Sequence, residues 1–350
     1  RCAAFSSRKA TRPGVTAGGR LAPVAVPLRI LAVALVIGLA FQGSRPLWEP
    51  DEGRYTAVAH TMLETGDVWV PRLDPEHPHL TKPPLTYWSL AASFALLGRN
   101  EWAARLPNAL AFAATAVAVY VIAAGFALPS PWLAAGLWMT MAGPVGAANV
   151  VTTDTLLTLW ETVAVAGFAA SGALSPTVDR PRRGGLAVMW LGFALAFLTK
   201  GPPGLLPLAA IVVWALWRRR DLLSSLMSPA GLALFAIVGL GWYVALTWRD
   251  PQLLHYLLVH ETLERVASAE FDRNSGTWGW LVAYGPMLLA GSMPWLLVIP
   301  LLRARAAAPA GSPGALPPDT RRLLALWLVL PLAVLVASRS RLPLYVLPSF

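Results

Sequence analysis

The chain has 350 residues, of which 56% are hydrophobic and 13% charged, with a mean hydropathy of +0.56. Soluble domains are about 45–50% apolar and about 25% charged, so this composition excludes a soluble globular protein and indicates a polytopic membrane protein. The net charge of +10 does not indicate nucleic acid, because the arginines sit in short loops between apolar stretches, and the single cysteine, Cys2, excludes an internal disulfide or a cysteine metal site.

The chain begins at Arg1 without a methionine and stops at Phe350 inside an apolar run, so the expectation is a fragment of a longer protein. Its basic start, residues 1–23, reads as a cytoplasmic tail ahead of a first span rather than a cleaved signal peptide. The membrane domain is expected over 24–350. A helix needs about 20 apolar residues to cross the hydrocarbon. Spans are predicted at 24–43, 106–126, 132–149, 154–172, 186–199, 204–217, 229–248, 279–300 and 322–337, with another starting near 343. The stretch from Leu85 to Gly98 is apolar but short, and reads as an interfacial or re-entrant helix. The 16 tryptophans suit anchoring at the membrane interface.

Loop charge orients these spans. Basic residues cluster before residue 30, at Arg180, Arg182 and Arg183, at Arg218 to Arg220, and at Arg303, Arg305, Arg321 and Arg322. The positive-inside rule makes these segments cytoplasmic. The opposite face then collects 44–105, 150–153, 200–203, 249–278 and 338–342. That face gathers both signs of charge and most of the acidic residues, whereas the inner face is almost purely basic. Charge of both signs on one face suits a reaction site, while a transporter tends to hold ionisable groups near the midplane on broken helices. The tail over 306–319 reads as a flexible cytoplasmic linker.

The first outer loop has readable local structure. Tyr55, Val58, Ala59, Met62 and Leu63 mark one apolar face of a helix lying on the membrane, which Gly66 ends. Residues 67–84 contain prolines at 71, 75, 78, 83 and 84 and are expected to be extended.

The charged segments carry a pattern. Asp51-Glu52-Gly53-Arg54-Tyr55, Lys82-Pro83-Pro84-Leu85-Thr86-Tyr87-Trp88 and Ala104-Arg105-Leu106-Pro107 follow in order. Thr153-Asp154-Thr155-Leu156, Thr199-Lys200-Gly201-Pro202-Pro203, His260-Glu261 with Arg265, and Ser338-Arg339-Ser340-Arg341-Leu342-Pro343-Leu344-Tyr345 continue the series. Together, over about 45–350, they resemble the aminoarabinose transferase and protein O-mannosyltransferase-like glycosyltransferases. The resemblance implies an all-α, polytopic GT-C fold in a bacterial cytoplasmic membrane. It also implies transfer of a monosaccharide from a polyprenyl-phosphate donor to an envelope glycolipid, polysaccharide or protein at the extracytoplasmic face, with inversion at the anomeric carbon.

The chemistry gives these residues candidate roles. Breaking the bond between sugar and phosphate leaves extra negative charge on the phosphate, which fixed cations in a partly dry site stabilise. Lys82, Lys200, Arg339 and Arg341 are the candidate cations, and Arg54, Tyr55, Arg105 and Tyr345 are further substrate contacts implied by the motifs. Asp51, Asp154 and Glu52 are the candidate catalytic carboxylates, orienting the acceptor or accepting its proton. Asp51 and Asp154 also suit helix capping, and Arg105 suits an ion pair with Glu101 one turn earlier. His260 and Glu261, near His255 and Glu264, are candidate ligands for a divalent cation, although their spacing is not a zinc motif. His77 and His79 read as exposed loop histidines. The aminoarabinose branch usually has an acidic residue where this chain has Thr81, and orders the later pair Glu-His where this chain has His260-Glu261. Both departures bear on metal binding and on aminoarabinose specificity. A lipid-linked-sugar flippase and a non-catalytic membrane subunit are the alternative readings. No P-loop, dinucleotide fingerprint or nucleophile elbow is present in the sequence.

Overall fold

A computed structural model describes residues 22–175, 178, 180–255, 273–298 and 316–350. The predicted basic tail up to residue 21 and most of the predicted linker lie outside them. The described residues form an all-α bundle, and its two β-bridges are isolated pairings, Arg72 with Pro78 and Arg273 with Ser340.

The first helix, α1 (Ala22–Leu39), is apolar apart from Arg29. The outer loop follows. Helix α2 (Asp51–Thr65) begins with two carboxylates, Asp51 and Glu52, at the positive end of its dipole. It stops at Gly66, whose φ of 72° is a left-handed conformation that glycine adopts without strain. Tyr55, Val58, Ala59 and Met62 are buried against α3 (Leu85–Leu97) and the start of α4 (Glu101–Gly125), while Leu63 stays exposed. The apolar face read from the sequence is therefore covered largely by protein. At 13 residues, α3 spans roughly 20 Å, too short for a bilayer core of about 30 Å. Helix α4 starts five residues ahead of the predicted span, because Asn100 caps it by accepting from the Ala103 N–H at 2.8 Å.

Several predicted spans are broken, each at an identifiable residue. The span expected over 132–149 is two helices, α5 (Pro131–Thr140) and α6 (Ala142–Ala148), joined by Met141 in an extended conformation. Pro144 explains the break. Inside a continuous helix it would lack the N–H for the Thr140 carbonyl and clash with it, but in the first turn of α6 neither matters. The next two helices, α7 (Thr153–Ala170) and α8 (Arg183–Lys200), run as expected. Gly201, at φ 75°, and Pro202-Pro203 then turn the chain into α9 (Leu206–Arg218). A short α10 (Leu223–Leu226) leads to α11 (Pro229–Gly239) and α12 (Gly241–Arg249), which divide the span expected over 229–248 at the Gly-Leu-Gly step. A single turn, α13 (Gln252–His255), closes this part. Helix α14 (Gly279–Gly291) stops short of residue 300, because Pro294 would meet the Ala290 carbonyl. Helix α15 (Pro318–Ala337) is continuous. The span expected near 343 is instead a 3-10 turn, Pro343–Ser349, limited by Pro343 and Pro348.

Among the described residues, α4 and α15 are each long and apolar enough to cross a bilayer alone. The pair Arg220–Leu226 and Pro229–Gly239, bent by 50°, would make a third span if taken together. The remaining membrane helices are short or interrupted, so their place in the bundle rests on packing. Helices α7 and α8 show how. A methyl group on Gly167 would lie 2.4 Å from the Met189 nitrogen, and one on Gly192 would lie 2.6 Å from the Ala164 nitrogen. Small residues let the two backbones approach where no hydrophobic effect drives helices together in lipid. Phe168, Met189, Phe193 and Trp214 close the core around that seam.

A buried ion pair ties the outer loop to the bundle. Arg105 on α4 is fully buried. Its guanidinium donates to both carboxylate oxygens of Glu52 at 2.9 Å, and to the carbonyls of Gln42 (2.6 Å), Arg45 (3.0 Å) and Pro46 (2.9 Å). Glu52 also accepts from Arg45 (2.6 Å) and from the N–H groups of Trp48 (2.8 Å) and Val151 (2.9 Å). The partner of Arg105 is thus Glu52, not Glu101. Burial on its own raises the Glu52 carboxyl, but the bonds from Arg105, Arg45, Trp48 and Val151 outweigh it and lower the pKa from 4.5 to about 2. An acid with a depressed folded pKa stabilises the fold fully above its unfolded pKa and loses that effect as the pH falls through the folded value. Glu52 is therefore expected to contribute about 3 kcal/mol at neutral pH. The thermal midpoint in detergent should fall as the pH is taken from about 4.5 towards about 2. Glu52→Gln should flatten that part of the profile and cost about 3–5 kcal/mol at pH 7, because Arg105 is left buried without its counter-charge. A Glu52→Gln protein as stable as the wild type at pH 7 would contradict the clamp.

Candidate functional site

A cavity of 290 Å³ lies among α7, the α8–α9 turn, α12, α15, the 80–83 segment and the C-terminal 3-10 turn. Its wall is mixed. Thr81, Lys82, Glu161, Lys200, Ser338, Ser340 and Tyr345 supply polar groups, while Leu157, Leu206, Trp327, Pro331, Val334 and Leu335 supply apolar surface. The proline pair at 83–84 immediately precedes α3, and Pro83 and Pro84 are both buried, so Lys82 projects from a stiff, anchored segment.

Lys200 is the last residue of α8, held there by the stop at Gly201. Its ammonium lies 2.5 Å from Asp154 Oδ1 and 3.8 Å from the centre of the Tyr345 ring, where the negative face of the phenol attracts a cation. Both side chains of the ion pair are at least nine-tenths buried. Asp154 is not the cap of its helix. Thr152 takes that place, its hydroxyl accepting from the Asp154 N–H at 3.4 Å, so the Asp154 carboxylate is left for Lys200.

Asp51 is the first residue of α2, which has no side-chain cap. Its carboxylate is 39% exposed and paired with Arg54, and it lies outside the wall of the cavity. Tyr55 links the two carboxylates. The ring is buried, packs 5.8 Å from the Tyr87 ring centre and sits 5.5 Å from the Arg54 guanidinium. Burial raises its pKa to about 12, and the Asp154 charge adds to that rise against the pull of Lys200 and Arg54. Its hydroxyl therefore stays protonated at ordinary pH.

The structure thus brings Lys82, Lys200, Asp154 and Tyr345 to one place, with Tyr55 within electrostatic reach of Asp154. Other candidates lie elsewhere. Glu52 and Arg105 are consumed by the clamp. Arg339 is exposed. Arg341 is buried and fastens the 273–276 segment, donating to the carbonyls of Asn274 (2.8 Å), Gly276 (3.0 Å) and Val336 (2.9 Å). His77 is exposed and bonded to Asp74, as a loop histidine should be. His260, Glu261, Glu264 and Arg265 lie outside the described residues. Among those that are described, no group of three or more His, Cys, Asp or Glu side chains gathers as a metal site. Glu161, on the cavity wall, was not among the candidates. The signal for it is its spacing, seven residues after Asp154 and hence two turns further along the same face of α7.

The family described as dolichyl-phosphate-mannose-protein mannosyltransferase matches residues 81–243. An undecaprenyl phosphate-alpha-4-amino-4-deoxy-L-arabinose arabinosyl transferase 2 of Pseudomonas fluorescens is 30% identical over 332 residues, covering 93% of this chain and 57% of that protein. An arabinosyl transferase of the same description from Erwinia tasmaniensis is 29% identical, covering 87% of this chain and 54% of its own length. The crystal structure of ArnT from Cupriavidus metallidurans bound to undecaprenyl phosphate superposes with a TM-score of 0.75 at 25% identity, over 94% of this chain and 58% of that one. This chain spans a little over half the length of the relatives it matches. Its fold is that of the GT-C membrane proteins, and its sequence is similar to the aminoarabinose transferases and, over residues 81–243, to the protein mannosyltransferase family.

Proposed function

We propose that the protein to which this chain belongs transfers a monosaccharide from a polyprenyl-phosphate donor to an envelope glycolipid, polysaccharide or protein, at the extracytoplasmic face of the cytoplasmic membrane. The observation that carries this reading is the mixed lining of the cavity, with two lysines together with apolar side chains such as Leu206, Trp327, Val334 and Leu335. A lipid phosphate has the complementary mixture. The named activity of the arabinosyl transferase relatives supports it.

In this reading Lys82 and Lys200 hold the phosphate as fixed cations, and the Tyr345 hydroxyl donates to it. Lys acts here as a point charge, whose attraction grows in a site sheltered from water. The acceptor oxygen attacks the anomeric carbon from the face opposite the phosphate. The bond from that carbon to the phosphate oxygen breaks, its electron pair leaves with the phosphate, and the lysines neutralise the added charge. Where the acceptor is a hydroxyl, its proton passes to a carboxylate. Asp51 suits that role, being partly exposed and joined only to Arg54. Asp154 is engaged by Lys200, so its part is to set the position of that ammonium. The protonated Tyr55 hydroxyl, within electrostatic reach of Asp154, is a hydrogen-bond donor available to the substrate. Arg339 and Arg341 alternate along the chain with Ser338 and Ser340 of the cavity wall. Arg341 shapes it through the 273–276 segment, and exposed Arg339 attracts anionic lipid.

Transfer should be measured in membranes carrying the full protein, with labelled polyprenyl-phosphate sugars and total envelope extract as acceptor. Asp51→Asn is expected to lower the transfer rate 100-fold or more, on the order of the loss of a general base. Transfer undiminished in Asp51→Asn, or lipid-sugar movement across vesicles without any transfer, would refute the assignment. Lys82→Ala is expected to weaken donor binding about 10-fold or more, as the loss of a charged hydrogen bond does. For the ion pair, Lys200→Met and Asp154→Asn should each abolish transfer, and each alone should cost about 3–5 kcal/mol of stability by leaving one charge buried unpaired. Much of that stability should return in the double variant while activity does not. Two additive losses of stability would show that Lys200 and Asp154 do not act as a pair.

A further inference from the structure

Among the described residues Glu161 is the one carboxylate on the cavity wall, and the scheme above does not use it. Its residue is 3% exposed, on a membrane helix, with its surface open to the cavity. No hydrogen bond reaches its carboxyl from the described residues. The nearby cation, Lys200, is already committed to Asp154 at 2.5 Å. A buried carboxyl in this position is costly unless something hydrogen-bonds to it. The same wall carries Lys82.

The two forms of a lipid phosphate would meet this wall differently. A phosphodiester that carries a sugar has one negative charge and brings hydroxyl or ammonium donors with it. A bare phosphate monoester carries about −1.5 to −2 at pH 7 and offers no such donors. The carboxyl of Glu161 can accept hydrogen bonds, which the first ligand supplies and the second cannot. We infer that Glu161 is a binding residue that accepts hydrogen bonds from the sugar of a lipid-linked donor and thereby favours the glycosylated lipid over the bare lipid phosphate. This rests on the lipid-phosphate reading of the cavity and adds to it a residue that reads the sugar. It also gives the reaction a direction at the binding step, because the spent lipid is held less well than the donor.

The test is equilibrium binding of two probes to the full-length protein in detergent: polyprenyl phosphate, and the same lipid carrying a monosaccharide. The wild type should prefer the glycosylated lipid. Glu161→Leu should weaken that probe about 10-fold or more, the scale of a hydrogen bond to a charged group. It should leave the bare lipid phosphate unchanged or bound more tightly, which also shows that the variant is folded. Glu161→Gln keeps the shape and one acceptor oxygen, so it should retain part of the preference, and it carries the test should the leucine variant fail to fold. Equal weakening of both probes, or no change in either, would overturn the inference while leaving the lipid-phosphate reading intact. A wild-type protein that binds neither probe would overturn both.

Discussion

A guanidinium buried inside a dry helix bundle must be answered by a carboxylate, and the answer given to Arg105 decides where the outer loop lies. Glu52 supplies both oxygens to that guanidinium, and one of them also receives the Val151 N–H at the approach to α7. Three segments distant in sequence are thereby joined: the entry to α2, the outer part of α4 and the turn before α7. Asp51, Arg54 and Tyr55 sit on the first turns of α2, and Asp154 sits on the first turn of α7. Their mutual placement follows from a contact in which none of them takes part. The outer loop needs such a tether, since its backbone from Asp67 to Pro84 is rich in proline and makes few bonds of its own.

The same electrostatic rule governs the second buried pair. Lys200 reaches its place because α8 stops at a left-handed glycine, and Asp154 is free to meet it because Thr152 takes over the cap. Neither group is stable alone in a medium of low dielectric. The pairs differ in what surrounds them. Glu52 and Arg105 have every polar valence occupied by backbone or by Arg45, which makes a closed structural joint. Lys200 borders open space and an aromatic face, so a ligand can reach the charge.

Much of this arrangement was legible in the chain. The charged motifs Asp51 to Tyr55, Lys82-Pro83-Pro84 and Lys200 with its following prolines pointed to residues that approach one region. The short helix at Leu85–Leu97 is legible from its length together with the charge of the loops around it, and the stop at Gly66 from glycine's freedom of backbone. Other features needed three dimensions. Asp51 and Glu52 are adjacent carboxylates on one turn, and only the partner 53 residues away separates a sealed joint from an accessible group. Arg339 and Arg341 look equivalent on the same short segment, yet one is exposed and the other is locked to three carbonyls. The break at Met141 was within reach of local rules, since Pro144 disfavours a continuous helix by removing an N–H and crowding the Thr140 carbonyl. Apolar composition masked it, because hydropathy counts side chains and ignores a missing N–H. Glu161 was readable only as an outer-end carboxylate, since nothing in its neighbours announces a cavity.

The two acids on either side of Tyr55 are not interchangeable under the proposed transfer. Asp154 is buried and its carboxylate is committed to the Lys200 ammonium. Asp51 is part-exposed and paired with an arginine that is itself part-exposed. Tyr55, held protonated by its burial, can donate a hydrogen bond but has no base strength of its own to offer. Proton uptake from an acceptor hydroxyl therefore belongs on the Asp51 side, where solvent can carry the proton away, and charge stabilisation belongs on the Lys200 side, where solvent is excluded. That division follows from exposure alone and requires no difference in the chemistry of the two carboxyl groups.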